Sequence, residues 1–309
     1  MAKKILKIGT RRSGLARAQS KCVADLMRAV WPGLELELVS FSTRGDRQGG
    51  PLAEVGGKGL FTAELEEALD AGLVDLAVHS AKDLPAEDPP GLIIAATPAR
   101  HDPCDALVTT HPGLDNLPSG ATVGTGSLRR SALLRRLRDD LKIVPLRGNV
   151  ETRLGKVLGP KPELDATILA WAGLLRSGLA GRFAGNIHPL PAETFIPAAG
   201  QGTLAIQTQA DNAEVTKLLA PLNDQATRES LQAERAFLRM LHAGCHSCIA
   251  AYIRPADTGW AGDAMLARPD GTDMKTVSAK ARTAKETGET LAKKLLETVS
   301  LQENDFLEL

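Results

Sequence analysis

TPARHDP, running from Thr97 to Pro103, breaks an otherwise regular alternation of short apolar runs and amphipathic helices. It holds two prolines and has neither strand nor helix periodicity, which marks a connection between domains. A second stretch of the same character, HPLPAETFIPAAGQG from His188 to Gly202, stands just before another apolar run. Two crossings of this kind imply that the chain leaves a first lobe, builds a second and then returns. The expectation is two α/β lobes joined by a double hinge, with a cleft between them.

Working outward from the crossings, candidate strands fall at residues 5–8, 34–39, 74–78, 92–95, 106–108, 121–124, 143–146, 166–169 and 204–207. Amphipathic helices, such as residues 60–71, 128–138 and 150–158, lie between several of them. Strand–helix–strand alternation predicts mostly parallel sheets covered by helices on both faces. After APLND (residues 220–224) the character changes. A helix over 229–241 is followed by strand-like runs around AAYIRP and DAMLARPDG and by a charged helix around KETGETLAKKLLETV, which reads as a small C-terminal α+β domain. The expected units are residues 1–98 together with 201–220, residues 104–194, and residues 224–309.

Lysine plus arginine and aspartate plus glutamate number 37 each, so the net charge is zero. That argues against bulk electrostatic binding to nucleic acid or to an anionic membrane. An aromatic content of 3% leaves few platforms for stacking bases. The opening MAKKILKIGTRRSG has too short an apolar run for a signal segment, and no stretch reaches the ~20 apolar residues of a membrane span. The expected setting is the cytoplasm, with the chain acting as a monomer.

Neutral overall, the chain nonetheless clusters its basic residues where predicted strands give way to helices. IGTRRSG supplies Arg11, Arg12 and Ser13; VGTGSLRRS supplies Thr125, Ser127, Arg129 and Arg130; PLRGNVETR supplies Arg147 and Arg153; AGLLRSG supplies Arg176. Ligands of open parallel sheets bind at strand carboxyl ends, where helix N-termini present free N–H groups. Arginine adds planar forks for carboxylate or phosphate. The cleft is therefore expected to hold a small ligand with several negative groups. EVGGKGLFTAELEEAL places Lys58 in a Gly-rich loop before a helix, matching neither a P-loop nor a dinucleotide fingerprint. AVHSAKDLP puts His79, Ser80, Lys82 and Asp83 after an apolar strand. Asp83 there is either a turn residue before Pro85 or a carboxylate that meets positive charge developing on a substrate.

LHAGCHSCIA, residues 241–250, holds Cys245 and Cys248. A zinc site would need a second Cys or His pair at finger spacing, a c-type haem would need the histidine after the pair, and a thioredoxin-like pair would open a helix after a strand. No metal site is expected. A nucleophilic thiol or core packing remains; Cys22 and Cys104 read as packing.

In chain order, TRRSGLA, TRGDR, GGKGLF, VDLAVHSAKDLP, VGTGSLRR, LRGNVETRL, ILAWAGLLR, PAAGQG and ERAFLRMLHAGC together resemble the porphobilinogen deaminase (hydroxymethylbilane synthase) family over nearly the whole chain. The resemblance implies a transferase that condenses four porphobilinogen molecules onto a dipyrromethane primer, held by a thioether at Cys245, and releases hydroxymethylbilane by hydrolysis. It further implies that Arg11, Ser13, Lys58, Phe61, Ser80, Lys82, Thr125, Ser127, Arg129, Arg130, Arg147, Arg153, Gln201 and Gly202 serve the acetate- and propionate-bearing ligand. Arg176 would position the incoming substrate, and Asp83 would face the pyrrole nitrogens. Three positions depart from the family pattern: Glu54 where lysine is common, Gly126 where serine is common, and Cys248 where proline is common. Arginines of this kind are expected to serve the ligand and not the fold, so Arg130→Leu and Arg153→Leu should each leave thermal stability nearly unchanged. The rival reading is a non-catalytic solute-binding or effector-sensing module, since two lobes with crossed hinges are also the architecture of periplasmic-type binding proteins.

Overall fold

The computed structural model describes residues 5–47, 60–243, 247–268 and 270–298. Its strands are β1 (Leu6–Arg11), β2 (Leu36–Phe41), β3 (Leu76–Ser80), β4 (Leu92–Ala96), β5 (Asp105–Thr109), β6 (Thr122–Gly124), β7 (Lys142–Val144), β8 (Ala166–Ala170), β9 (Ile187–Leu190), β10 (Leu204–Gln209), β11 (Ile249–Pro255), β12 (Trp260–Leu266) and β13 (Lys275–Ala281). They form two five-stranded sheets, ordered β2-β1-β3-β10-β4 and β7-β6-β8-β5-β9, and one three-stranded sheet, β11-β12-β13.

The two large sheets share one plan. In the first, β1 runs parallel to β2 and β3, while β10 is antiparallel to both β3 and β4. In the second, β6 runs parallel to β7 and β8, while β5 is antiparallel to both β8 and β9. Four of five strands in each sheet thus point the same way, as the alternation predicts. The reversed strand in each case is the one that follows a crossing directly, because the chain enters that sheet from its neighbour's end.

Helices cover both faces of each sheet. Helix Gly14–Val30 buries Ala16, Val23, Ala24 and Met27, spaced to form one stripe, and Ser13 caps it by accepting from the Ala16 N–H at 3.3 Å. That stripe packs with Leu6, Ile8, Leu76 and Ile206. Helix Ala63–Asp70 covers the opposite face through Leu65, Ala68 and Leu69 against Ala77 and Leu92. In the second lobe, Leu133 and Leu134 of helix Leu128–Leu137 pack on Val123 and Ile168. Leu154 and Val157 of helix Val150–Leu158 pack on Val108 and Leu169 from the other side.

Strand alternation explains how the C-terminal unit joins the rest. Ile249, Ala251 and Ile253 of β11 point to helices Gln225–Met240 and Ala284–Thr298, where they meet Phe237, Leu291 and Leu295. The other parity, Ala250 and Tyr252, with Cys248 just ahead of the strand, packs into the core of the second lobe beside Leu133 and Phe195. One strand therefore belongs to two cores.

At the hinge both crossings are tied together. Arg100 Nε donates to the Gln201 carbonyl at 2.8 Å, and the His101 N–H donates to the Gly202 carbonyl at 3.2 Å. Gly200 and Gly202 have φ of +73° and +86°, and a Cβ on Gly202 would stand 2.4 Å from the His101 oxygen. No side chain fits there without moving the backbone. Glu234, fully buried, accepts from Arg100 Nη1 and Nη2, from the Gly200 N–H and from the Ile253 N–H. Its carboxylate joins both crossings to the C-terminal unit.

Candidate active site

In sheets of this order, a crevice opens beyond the carboxyl ends of the central parallel strands, where successive connections run to opposite faces. In the first lobe that point lies between β1 and β3. Arg11 ends β1 and lies over the Phe61 ring, 4.3 Å from its centroid. β3 ends at Ser80, whose Oγ accepts from Gln19 Nε2 at 2.7 Å. A single tight turn, Ala81–Asp83, then presents Lys82 and Asp83, both half-buried. The backbone of this turn packs against Gly200, where a Cβ would come within 3.0 Å of Lys82 N.

Lys82 Nζ donates to Gln201 Oε1 at 3.1 Å. Burial, aided by the Arg130 charge and opposed by Asp83 and Asp105, lowers its pKa to about 8.

The second lobe supplies a buried charge cluster that the sequence reading did not include. Asp105, fully buried at the start of β5, accepts from Arg130 Nε at 3.0 Å and Nη2 at 2.6 Å and from Gln201 Nε2 at 3.0 Å. Its other oxygen pairs with Arg129 Nη2 at 2.8 Å. Burial works against its ionisation, but Arg129, Arg130 and Lys82 outweigh that and hold its pKa at about 2. Arg129 Nη1 is spent on the Ile196 carbonyl and Arg130 Nη1 on the Ile168 carbonyl. Both arginines are more than nine-tenths buried. The expectation that Arg130→Leu leaves stability unchanged is therefore corrected: Arg130 neutralises a buried carboxylate and belongs to the fold as much as to the cleft.

Arg153 behaves differently. It donates Nε to the Gly148 carbonyl at 2.9 Å, and it lies on helix Val150–Leu158, capped by Asn149. Burial and the charges of Arg130 and Arg147 push its pKa down to about 10 against the pull of Asp83. Arg153 and Asp83 sense one another across the lobes. Ser127 caps helix Leu128–Leu137, accepting from the Arg130 N–H at 3.4 Å, and Thr125 Oγ1 accepts from the Ser127 N–H at 3.2 Å. Gly126 is exposed between them, and a Cβ there would stand 3.0 Å from the Leu146 oxygen.

Arg176 is set apart from this group. Its Nη2 donates to the Gly202 carbonyl at 2.7 Å, at the hinge, and burial lowers its pKa to about 10. Lys58, Glu54 and Cys245 lie outside the described residues. Cys248 is buried, and burial pushes its thiol up to about 12, which removes it as a nucleophile near neutral pH. Cys104 is likewise buried, with its thiol pKa raised by burial and by Asp102. Asp105 and Gln19 are the site residues that sequence reasoning missed. An acidic residue opening an otherwise apolar strand is the one signal that pointed to Asp105.

Lys82, Arg129, Arg130, Arg147 and Arg153 thus act on one another around two carboxylates, Asp83 and Asp105. Among the described residues these five cations share two anions in a setting partly shielded from water, an arrangement suited to a ligand with several carboxylates.

Comparison with known proteins gives the same direction. Residues 6–217 match the family model "Porphobilinogen deaminase, dipyromethane cofactor binding domain", and residues 229–297 match "Porphobilinogen deaminase, C-terminal domain". The chain is 47% identical over 276 residues to a porphobilinogen deaminase of Syntrophobacter fumaroxidans, covering 89% of this chain and 88% of that protein. It is 51% identical over 246 residues to one from Roseiflexus sp. (strain RS-1), covering 79% of each. A third, from Syntrophotalea carbinolica, is 44% identical over 300 residues, covering 96% of this chain and 94% of the relative.

Proposed function

Since the chain belongs to the porphobilinogen deaminase family, we propose how its own residues divide the work of that reaction. The protein is a hydroxymethylbilane synthase of tetrapyrrole biosynthesis, a transferase that joins porphobilinogen units with loss of ammonia and releases hydroxymethylbilane. A non-catalytic solute-binding role is not favoured.

The family's dipyrromethane cofactor fits the residues present. Burial depresses the pKa of both Lys82 and Arg153 in spite of Asp83, the one carboxylate of the described residues that acts on both, and the carboxylates of a dipyrrole would add to it. Cys245 is the proposed attachment point, and when bound the cofactor supplies a covalent primer for chain growth. Arg11, Ser13, Lys58, Phe61, Ser80, Lys82, Thr125, Ser127, Arg129, Arg130, Arg147, Arg153, Gln201 and Gly202 would hold the ligand's acid groups or shape the walls around them. For Arg129 and Arg130 that role works through charge, since most of their N–H groups are already engaged. Arg176 would act from the hinge side on the incoming substrate.

Asp83 carries the chemistry in this reading. Ammonia leaving porphobilinogen develops positive charge on the pyrrole. A fixed carboxylate in a cleft partly shielded from water lowers the cost of that charge. The same oxygen can take and return the protons that departure of ammonia and restoration of the ring require. Action as a single chain in the cytoplasm, with no nucleic-acid partner, completes the proposal; the zero net charge supports the last point. The division into residues 1–98 with 201–220, 104–194 and 224–309 is supported by the membership of the three sheets.

The excess of buried positive charge is the observation that carries this reading, and Arg153 tests it. Arg153→Leu should leave the thermal transition within about a degree or two of wild type, because among the described residues its side chain makes one carbonyl contact. Losing a charged contact in a partly desolvated cleft should cost on the order of 2–5 kcal/mol of binding. Cofactor loading by intact mass, and porphobilinogen consumption by loaded protein, would show that loss. Normal loading and turnover would remove Arg153 from the site.

A second measurement concerns the thiols. Peptide mapping of the purified protein should place two pyrrole units on Cys245, and Cys248→Ala should keep them there. Pyrrole mass on Cys248 would overturn the assignment.

A further inference from the structure

Across three adjacent strands of the first lobe lies a row of buried polar groups that the reaction as described above does not use. Gly9 pairs with Ala77, and two residues further along these parallel strands stand Arg11 and His79, on the same face. On the next strand Gln207 pairs with Ala77 and Ala205 with His79, so Gln207 faces the same way. Helix Ala63–Asp70 covers this face and brings Glu66, with Thr62 just ahead of it, over the row. His79, Gln207 and Thr62 are 4%, 0% and 1% exposed.

Glu66 Oε1, Thr62 Oγ1, His79 Nε2 and both amide atoms of Gln207 are buried, and among the described residues none closes a hydrogen bond of good geometry, although Gln207 lies within interaction range of both Glu66 and His79. Five such atoms in one place call for an explanation, because native folds rarely leave buried polar groups unpaired. They are nonetheless close enough to influence one another. Gln207 and Thr62 oppose the burial that raises the Glu66 pKa. Burial lowers that of His79 to about 4, Gln207 opposing and Arg11 reinforcing the shift. His79 is therefore neutral, with one ring nitrogen a donor and the other an acceptor.

We propose that Glu66, Gln207 and His79 are a positioning row for Arg11, in which the carboxylate holds the Gln207 amide, the Gln207 oxygen holds a His79 N–H, and the second His79 nitrogen accepts from the Arg11 guanidinium. The direction is set at both ends: the ionised Glu66 carboxylate can only accept and Arg11 can only donate. Phe61 lies against one face of the guanidinium, and the row would fix the orientation of its fork from the side of His79. The proposal rests on the assignment of Arg11 to a substrate carboxylate given above.

The test is steady-state kinetics with porphobilinogen on holoenzymes whose two pyrrole units are verified by intact mass. Gln207→Leu should raise KM about tenfold, the scale on which outer partners of a binding group act, with kcat within about twofold. Glu66→Gln, which keeps shape and removes charge, should give a smaller rise in the same parameter and covers the case in which Gln207→Leu fails to fold. Arg11→Lys should raise KM by itself, and adding Gln207→Leu to it should have no further effect, since the row then has no fork to aim. If the two changes multiply, or if the Gln207 and Glu66 variants lower only the thermal transition, the row is structural and the proposal fails. If Arg11→Lys leaves KM unchanged, the assignment of Arg11 is what fails, and the row loses its purpose with it.

Discussion

Asp83→Asn is expected to slow the chemical step by about 10²–10³ while leaving the fold and cofactor loading intact, the usual cost of removing one preorganised electrostatic group. The side chain is half-buried on the single turn after β3, and its charge acts on both Lys82 and Arg153. Asparagine keeps the shape and removes the charge. Asp83→Glu keeps the charge and displaces it, so it should lie between wild type and Asn. Single-turnover release of ammonia by the three loaded forms separates this step from product release. A folded Asn form that releases ammonia at the wild-type rate would leave Asp83 as a turn residue before Pro85.

Asp105→Asn should be the most damaging substitution for stability among the cleft residues. It leaves Arg129 and Arg130, each more than nine-tenths buried, without their shared carboxylate. Removing one partner of a buried ion pair costs about 3–5 kcal/mol, which lowers the thermal midpoint by on the order of 10 °C for a chain of this size. Arg130→Leu should fall in the same direction, in contrast to Arg153→Leu. The pH dependence follows from the sign of the shift. Asp105 is held well below its ordinary pKa of 3.8, at about 2. Its contribution is complete above about pH 4 and is lost as pH falls through about 2. Acid titration of wild type and Asp105→Asn by circular dichroism should therefore show two curves that converge at the acid end. Curves separated by the same amount at pH 2 and pH 6 would mean that the charge of Asp105 does not stabilise the fold.

The double hinge was legible because prolines and lost periodicity announce crossings, and the parallel strands because buried strands are continuous apolar runs. β9 escaped notice because Pro189 sits within it; as an edge strand paired only to β5 it can spare the N–H. β13 escaped because its exposed face carries Thr276, Ser278 and Lys280, which read as surface. Helix Gln225–Met240 starts four residues before the expected 229 because Asp224 caps it, accepting from the Thr227 N–H at 2.8 Å. Within the site, the sequence marks arginines but not their partners. Arg130 and Arg153 look alike in a basic cluster, and only the position of Asp105, 25 residues before Arg130, separates them. Pairing across the fold leaves no local pattern to read. The same holds for Glu234, whose four donors come from Arg100, Gly200 and Ile253.

The reversed strand in each large sheet bears on how the protein is made. β10 lies between β3 and β4, so β4 has no neighbour in its sheet until Leu204–Gln209 has left the ribosome. From Ala96 that is roughly 108 residues later, a wait of about 5–20 s at ordinary rates of elongation. The second lobe, by contrast, has all five of its strands by Leu190. Synthesis order and assembly order therefore disagree: the lobe translated second is complete first. Until then the emerging N-terminal half exposes the flank of β3 to whatever meets nascent chains.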